Sequence, residues 1–221
     1  MEKAKGTPKA VYNWSYVQCV SLWCSVLASL HENAMLNSLI YPLVQVAIGC
    51  IRLRPTAKFF PLRFHILRSL ILLERQLDIY IPVLPLIYEV FRTVDFNQKP
   101  RTVKPRPIDF SCQLRLSSSH IVESSFRTAS INYVTELITE YAYNHCCAAS
   151  FPELVLFCIL QVRYIMVMQN YVVLHIPLIE TMFASYKQVF SSTLKTFPYK
   201  QSQQKKLSFY WSYYLSITKM A

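Results

Sequence analysis

The sequence predicts an all-α protein, and three observations support this prediction. Of its 221 residues, 53% are hydrophobic and 16% are charged, a composition that can bury a core and is too apolar for a disordered chain. The only two glycines are Gly6 and Gly49, and this scarcity disfavours hairpin-rich all-β folds. Apolar residues recur at intervals of three and four along most of the chain, as they do on the buried face of an amphipathic helix.

Two apolar helices are expected near the beginning of the chain. The first covers about residues 12–30 and carries two apolar stripes, so we expect neighbours to bury it on two faces. The stripes consist of Trp14, Val17, Val20, Cys24 and Leu27 and of Tyr16, Trp23 and Leu30. The second helix covers about residues 34–53, with Pro42 inside its apolar pattern. Residues 11–30 and 33–51 contain no charged residue over a length that could span a bilayer. A membrane protein is therefore a further functional alternative, although the polar residues in both runs disfavour it.

A third helix is expected at residues 61–76 and a fourth at about residues 81–93, with their prolines confined to the opening turns. The third helix carries a continuous apolar stripe of Leu62, Ile66, Leu70, Leu73 and Leu77. This helix and the residues before it contain six cations and a single acid, Glu74. We therefore predict that the helix pair has an apolar inside and a cationic outside. The six cations are Arg52, Arg54, Lys58, Arg63, Arg68 and Arg75.

Residues 94–120 are expected to form a long basic loop. Its basic residues are Lys99, Arg101, Lys104, Arg106 and Arg115, whereas Asp95 and Asp109 are its only acids. Pro105 and Pro107 favour an extended backbone. Because long loops in compact domains are usually functional or disordered, this loop is the main candidate for contact with an anionic or protein surface.

Helical patterns return after the loop. A helix is expected at about residues 122–143, another begins at a capping box formed by Ser150 and Glu153, and a last one covers about residues 178–194. The remaining residues are basic and then aromatic, and no fold is assigned to them. We therefore predict a basic extension at residues 1–10, one helical-repeat domain at residues 11–197 and a tail at residues 198–221.

A weak internal repeat suggests the architecture. Residues 41–44 and 81–84 are similar to each other, lie 40 residues apart, and each open or bend an apolar helix. This spacing matches the helix pairs of HEAT and armadillo repeats. The predicted fold is therefore an all-α, HEAT/armadillo-like helical-repeat solenoid.

The sequence shows no catalytic, cofactor or metal site. Two glycines cannot build a phosphate-cradling loop or a dinucleotide fingerprint. His145, Cys146 and Cys147 are too close together for one tetrahedral zinc site, and Glu136 with Glu140 is more typical of a solvated helix face than of catalytic carboxylates. We expect no enzyme activity and no cofactor.

The charge distribution indicates a polyanionic partner. The formal net charge is +11, and no acid follows Glu180. Proteins gain affinity for RNA through counterion release from several phosphates, so we predict contacts with RNA or an acidic partner from seven cations, with a merely solvated loop as the alternative. They are Lys99, Arg101, Lys104, Arg106, Arg52, Lys58 and Arg63.

Five segments resemble the conserved core of the nucleolar complex protein 2 family. They are IYPLVQVAIGCIRLRPTAKFFPLRFHILRSL (residues 40–70), YIPVLPLIYEVF (80–91), DFNQKP (95–100), PIDF (107–110) and FPELVL (151–156). The likeness ends after residue 209, and the long charged N-terminal region of the family has no counterpart here, so a truncated or divergent member is expected.

The resemblance implies a non-enzymatic, HEAT-like scaffold of the nucleolus and nucleoplasm, without catalytic residues to transfer. Its implied partners are homologues of nucleolar complex proteins 1 and 3, precursors of the large (60S) ribosomal subunit and precursor ribosomal RNA, with no membrane. The predicted function is thus ribosome assembly. The alternative is a nuclear protein-binding module associated with chromatin or transcriptional repression.

Overall fold

The computed structural model describes residues 10–94 and 107–145, together with residues 154, 157, 158, 160 and 161. The regular secondary structure of this part of the chain is entirely helical, which confirms the all-α prediction. The helices are α1 (Trp14–Ser29), α2 (Ala34–Asn37), α3 (Ile40–Leu53), a 3-10 helix (Ala57–Phe59), α4 (Phe60–Leu77), α5 (Val83–Thr93), α6 (Ser118–Ile121) and α7 (Ser124–Asn144). The chain forms two compact units, residues 1–138 and 139–221.

Helix α1 begins where the Asn13 side chain caps it by accepting a hydrogen bond from the Tyr16 amide at 2.7 Å. Its first predicted stripe is buried from Val17 to Leu27. The second stripe was expected to be buried as well, and this is wrong: Trp23 is 43% exposed and Leu30 is 51% exposed. Helix α1 therefore packs mainly through one face.

The predicted helix at residues 34–53 is two helices. Asn33 caps α2 by accepting from the Met35 amide at 3.0 Å, and the chain turns at Ser38 before α3 begins. Pro42 lies in the first turn of α3 and not in a helix interior as predicted. In a continuous helix the proline ring would clash with the Ser38 carbonyl four residues earlier, and the break between α2 and α3 avoids this clash.

The stretch Ala34–Leu53 is also long and apolar enough to cross a membrane. This is a statement about length and composition only, and 28% of its most apolar window is buried in the protein. A core helix of a soluble protein can meet the same criterion, so one such stretch is weak evidence for a membrane protein.

Helix α4 is the centre of the first unit. It packs most extensively against α1 and also contacts α3 and α5. The predicted stripe is fully buried from Leu62 to Leu73, which confirms that part of the prediction, whereas Leu77 at its end is half-buried. Other faces of α4 are buried too, including Phe60, Phe64, Leu67 and Ile71. The cationic outside predicted for this helix is therefore wrong at Arg63, which is buried, as is the acid Glu74.

The order of packing does not establish a repeat architecture. The main partner of α4 is α1, two major helices earlier in the chain, and not its immediate predecessor α3. Helix α4 ends at Leu77, and the next residue, Asp78, adopts the left-handed conformation (φ 51°) that short polar side chains tolerate. The HEAT/armadillo-like solenoid and the domain boundaries thus stay predictions.

An aromatic cluster attaches the second part of the predicted basic loop, from residue 107 onward, to the core. Phe110, fully buried, lies 5.6 Å from the Phe64 ring on α4, measured between centroids. It also lies 6.3 Å from Phe126 and 5.2 Å from Tyr133, both on α7. Aromatic pairs at such distances are attractive beyond the area they bury. The non-helical residues near 110 are therefore held by packing.

The later elements agree with the sequence where the structure describes them. Helix α5 begins after Pro82 and buries Val83, Ile87 and Val90. Helix α7 matches the helix predicted at 122–143 and buries Val134. The predicted capping box at Ser150, the helix at 178–194 and the tail lie outside the described residues.

The cysteines of α1 and α3 allow a direct check of this packing. Cys24 and Cys50 are buried, and burial raises the pKa of both thiols to about 11. Because the thiolate is the reactive form, neither should react with iodoacetamide at mildly alkaline pH in the folded chain. Cys19, exposed on the same helix as Cys24, is the matched control and should be labelled. Peptide mass spectrometry reads out each site, and labelling of Cys24 as fast as Cys19 would contradict this packing.

Candidate surface for anionic partners

Residues 95–106 of the predicted basic loop (94–120) lie outside the described residues. Lys99, Arg101, Lys104 and Arg106 all lie between residues 95 and 106, so their contact with RNA or a partner stays a prediction. The structure does describe α5 (Val83–Thr93), which precedes the loop, and the second part of the loop from residue 107 onward.

The second part of the predicted loop, from residue 107 onward, is fixed to the beginning of α4. The Phe110 carbonyl accepts a hydrogen bond from His65 Nε2 at 3.1 Å, and the Leu116 amide donates to the Lys58 carbonyl at 2.8 Å. Asp109 closes a local turn by accepting from the Ser111 amide at 2.8 Å. This second part of the predicted loop therefore lies beside the connector between α3 and α4.

This arrangement gathers exposed cations at one end of α4. Arg52 and Arg54 are exposed at the end of α3, and Lys58 in the connector is half-exposed. Arg115 is exposed next to Leu116, so its backbone lies near that of Lys58. The predicted set omitted Arg54 and Arg115, although both belong to the basic runs around it. The described cations form a positive surface that suits a polyanion.

Arg63 has a different environment from the other predicted contact residues. It is 3% exposed, and its Nη2 donates a hydrogen bond to Glu89 Oε2 on α5. Burial lowers the pKa of the guanidinium, against the opposing effect of the Glu89 carboxylate. An arginine nevertheless keeps its charge at neutral pH. Arg63 is thus a buried charge joining α4 and α5 and not a surface cation.

Arg68 and Glu136 form a second, more exposed ion pair between α4 and α7. Arg68 Nη2 lies 2.5 Å from Glu136 Oε1, with side chains 44% and 59% exposed. The Arg68 guanidinium also lies 5.9 Å from the centre of the Tyr133 ring, within cation–π range. Glu136 therefore forms an ion pair on a solvated helix face, as the sequence indicated.

His65 occupies a packed position on α4. Its Nε2 donates to the Phe110 carbonyl, and its ring lies 5.2 Å from that of Trp14 in an edge-to-face arrangement. Burial lowers the pKa of the imidazole, so the neutral form is favoured. Among the described residues no three side chains of metal-ligating type come together.

Comparison with known proteins identifies relatives of this chain. The model of the Noc2p family matches residues 1–212. Nucleolar complex protein 2 of Drosophila melanogaster is 42% identical over 153 residues, which is 69% of this chain and 20% of that protein. A NOC2 family protein of Schizosaccharomyces pombe is 36% identical over 162 residues, or 70% of this chain and 23% of that protein. A nucleolar complex protein 2 homolog of Caenorhabditis elegans is 30% identical over 154 residues, which is 66% of this chain and 22% of that protein.

Each match covers about two thirds of this chain, and the chain spans between a fifth and a quarter of the length of these relatives. Their names describe members of a nucleolar complex and not enzymes. The family match extends over nearly all of the chain, including the α3–α4 connector and the segment around Phe110. The chain therefore belongs to the Noc2p family.

Proposed function

We propose that this chain acts in the nucleolus and nucleoplasm as a non-enzymatic scaffold for assembly of the large (60S) ribosomal subunit. In this proposal it binds homologues of nucleolar complex proteins 1 and 3, together with pre-60S particles and their precursor RNA. The observation that carries the proposal is the family match over residues 1–212, with relatives that are named as nucleolar complex proteins.

The described surface is compatible with this role. Arg52, Arg54, Lys58 and Arg115 lie around the connector between α3 and α4, on the side of the molecule where the basic loop returns to the core. Several cations on one surface allow several phosphates to be neutralised together, and the release of their counterions favours RNA binding without base recognition. We expect contact through the RNA backbone.

The test is affinity purification of the tagged chain, followed by identification of its RNA and proteins. Large-subunit precursor RNA and nucleolar complex proteins should dominate. Reversal of four loop charges (Lys99→Glu, Arg101→Glu, Lys104→Glu, Arg106→Glu) should reduce recovery of this RNA. In vitro, the slope of log affinity against log salt should fall by about 0.7 for each phosphate of single-stranded RNA that the variant no longer neutralises.

A matched variant distinguishes an effect of the loop on RNA binding from an effect of the net charge. Reversal of Lys200, Lys205, Lys206 and Lys219 in the tail changes the net charge by the same amount. If both variants bind RNA equally weakly, the loop has no special role. If the purified material contains chromatin factors and lacks ribosomal precursors, the assembly function is wrong.

A further inference from the structure

One face of α3 is exposed, and most of its residues are apolar. Tyr41, Val46 and Leu53 are each at least 50% exposed. A helix face in contact with water usually carries several charged residues, whereas Arg52 is the single charge on this face. We call the exposed residues the outer face of α3. They are Tyr41, Pro42, Gln45, Val46, Gly49, Arg52 and Leu53.

Gly49 lies at the centre of this outer face. By the 3.6-residue repeat of the helix, Val46 and Leu53 lie on one side of it, and Tyr41 and Gln45 lie on the other. A Cβ atom at Gly49 would meet nothing within 4 Å, so the packing of α3 does not require a glycine there. Glycine inside a helix is less stable than alanine, because it loses more conformational freedom on folding. The chain therefore keeps an unfavourable residue at the centre of an apolar face.

A glycine at this position allows the backbone of another helix to come close. The distance between two packed helices depends on the side chains at their contact. Pro42, Val46, Gly49 and Leu53 follow one another at intervals of four, three and four, which forms a row along the axis of α3 that a second helix can pack against. Fluid lipid chains adapt to an apolar surface with or without a side chain at one position. The glycine therefore favours a protein helix as the occupant.

The charges at the end of α3 indicate the polarity of this occupant. Arg52 and Arg54 are exposed there, and neither forms an ion pair with a described acid. No acid occurs in the chain between Glu32 and Glu74. The α3 helix of a second copy would thus supply no opposite charge. A partner helix with an acidic residue near one end would be complementary to this surface.

We propose that the outer face of α3 binds an amphipathic helix of another protein. The apolar stripe of that helix packs across Gly49, and its acidic residue faces Arg52 and Arg54. Recognition of this kind depends on apolar anchors at intervals of three and four residues. The proposal assigns a surface to the protein partners of the proposed function and rests on that function only for their identity.

The first test is photo-crosslinking in cells that express the full tagged chain with p-benzoylphenylalanine in place of Val46. Mass spectrometry of the crosslinked peptides should identify a segment of another protein with apolar residues at intervals of three and four and an acidic residue beside them. The same crosslinker in place of Thr128, exposed on α7, is the control and should not reach that segment. The proposal is wrong if Val46 yields no such segment, if it crosslinks to its own chain, to a second copy or to lipid, or if both positions give the same products.

The second test measures binding of the identified segment, as a synthetic peptide, to the purified full chain. Gly49→Ala should weaken this binding at least about fivefold, the smaller effect expected from adding one methyl group to a packed contact. The same substitution should raise the midpoint of urea unfolding of the free chain, because alanine is the better helix former. Weaker binding by a more stable chain cannot result from misfolding.

Two further variants complete this test. Thr128→Leu adds more bulk to an exposed helix face and should leave the affinity unchanged. Arg52→Gln should weaken binding about two- to fivefold, as expected for loss of one exposed charge partner. Unchanged or tighter binding by Gly49→Ala would show that no helix approaches Gly49 closely and would overturn the proposal. If that happens while purification still recovers ribosomal precursors, the proposed function stands without this surface.

Discussion

Replacement of Phe110 by alanine is expected to lower the free energy of unfolding by about 3–5 kcal/mol, the usual cost of removing a buried phenylalanine side chain. Phe110 is fully buried and contacts the rings of Phe64, Phe126 and Tyr133. These residues come from α4, from α7 and from the segment between them. The cavity left by alanine would therefore weaken three parts of the first unit together. Equilibrium urea unfolding measures the effect, and the slope of the free energy of unfolding against urea concentration should stay unchanged.

Tyr80→Ala is the matched control for this variant. Tyr80 is also an aromatic residue outside the helices, but it is largely exposed. Its replacement should change stability by less than about 0.5 kcal/mol. Phe110→Ala should also speed hydrogen exchange of the Leu116 amide, which donates to the Lys58 carbonyl. A destabilisation below about 1 kcal/mol with unchanged exchange would show that the cluster does not hold this segment.

Removal of the carboxylate by Glu89→Ala is expected to cost about 3 kcal/mol. Its partner Arg63 is buried, so the substitution leaves a buried charge without its counter-ion. Glu89 is 36% exposed, and solvent that reaches the site should keep the cost at the low end of the range for buried pairs. Thermal or urea unfolding gives the value, with circular dichroism as a check that the helices form.

A double variant distinguishes the cost of leaving a buried charge unpaired from the cost of removing a side chain. Arg63→Met combined with Glu89→Leu removes both charges and should recover most of the stability, because the remaining cost is that of repacking. The exposed pair of Arg68 and Glu136 is the comparison, and its removal should cost less than about 1 kcal/mol. If Glu89→Ala costs no more than Glu136→Ala, the pair of Arg63 and Glu89 is not a buried link between α4 and α5.

Local patterns predicted a buried stripe correctly where neighbouring helices cover it. The four-residue spacing from Leu62 to Leu70 identified the buried stripe of α4, and Pro61 marked its first turn. The same reasoning failed at Trp23 and Leu30, because periodicity shows that a face is apolar and does not show whether a neighbour covers it. The break before α3 depends on the position of Pro42 relative to the Ser38 carbonyl. The periodicity of apolar residues over 34–53 does not show such a local clash.

Composition and local spacing were sufficient to establish the all-α class and the buried stripe of α4, and the ordered likeness of five segments to the family indicated the Noc2p family. These features depend on residues within about one helical turn of each other or on the order of the residues along the chain. Helix packing was needed to show that α4 lies mainly against α1 and that Arg63 turns inward to Glu89, 26 residues away. Such pairings join side chains from different helices, so the position of each depends on how the helices pack and not on its own neighbours. Tertiary packing therefore converted Arg63 from an expected surface cation into a buried charge that joins α4 and α5.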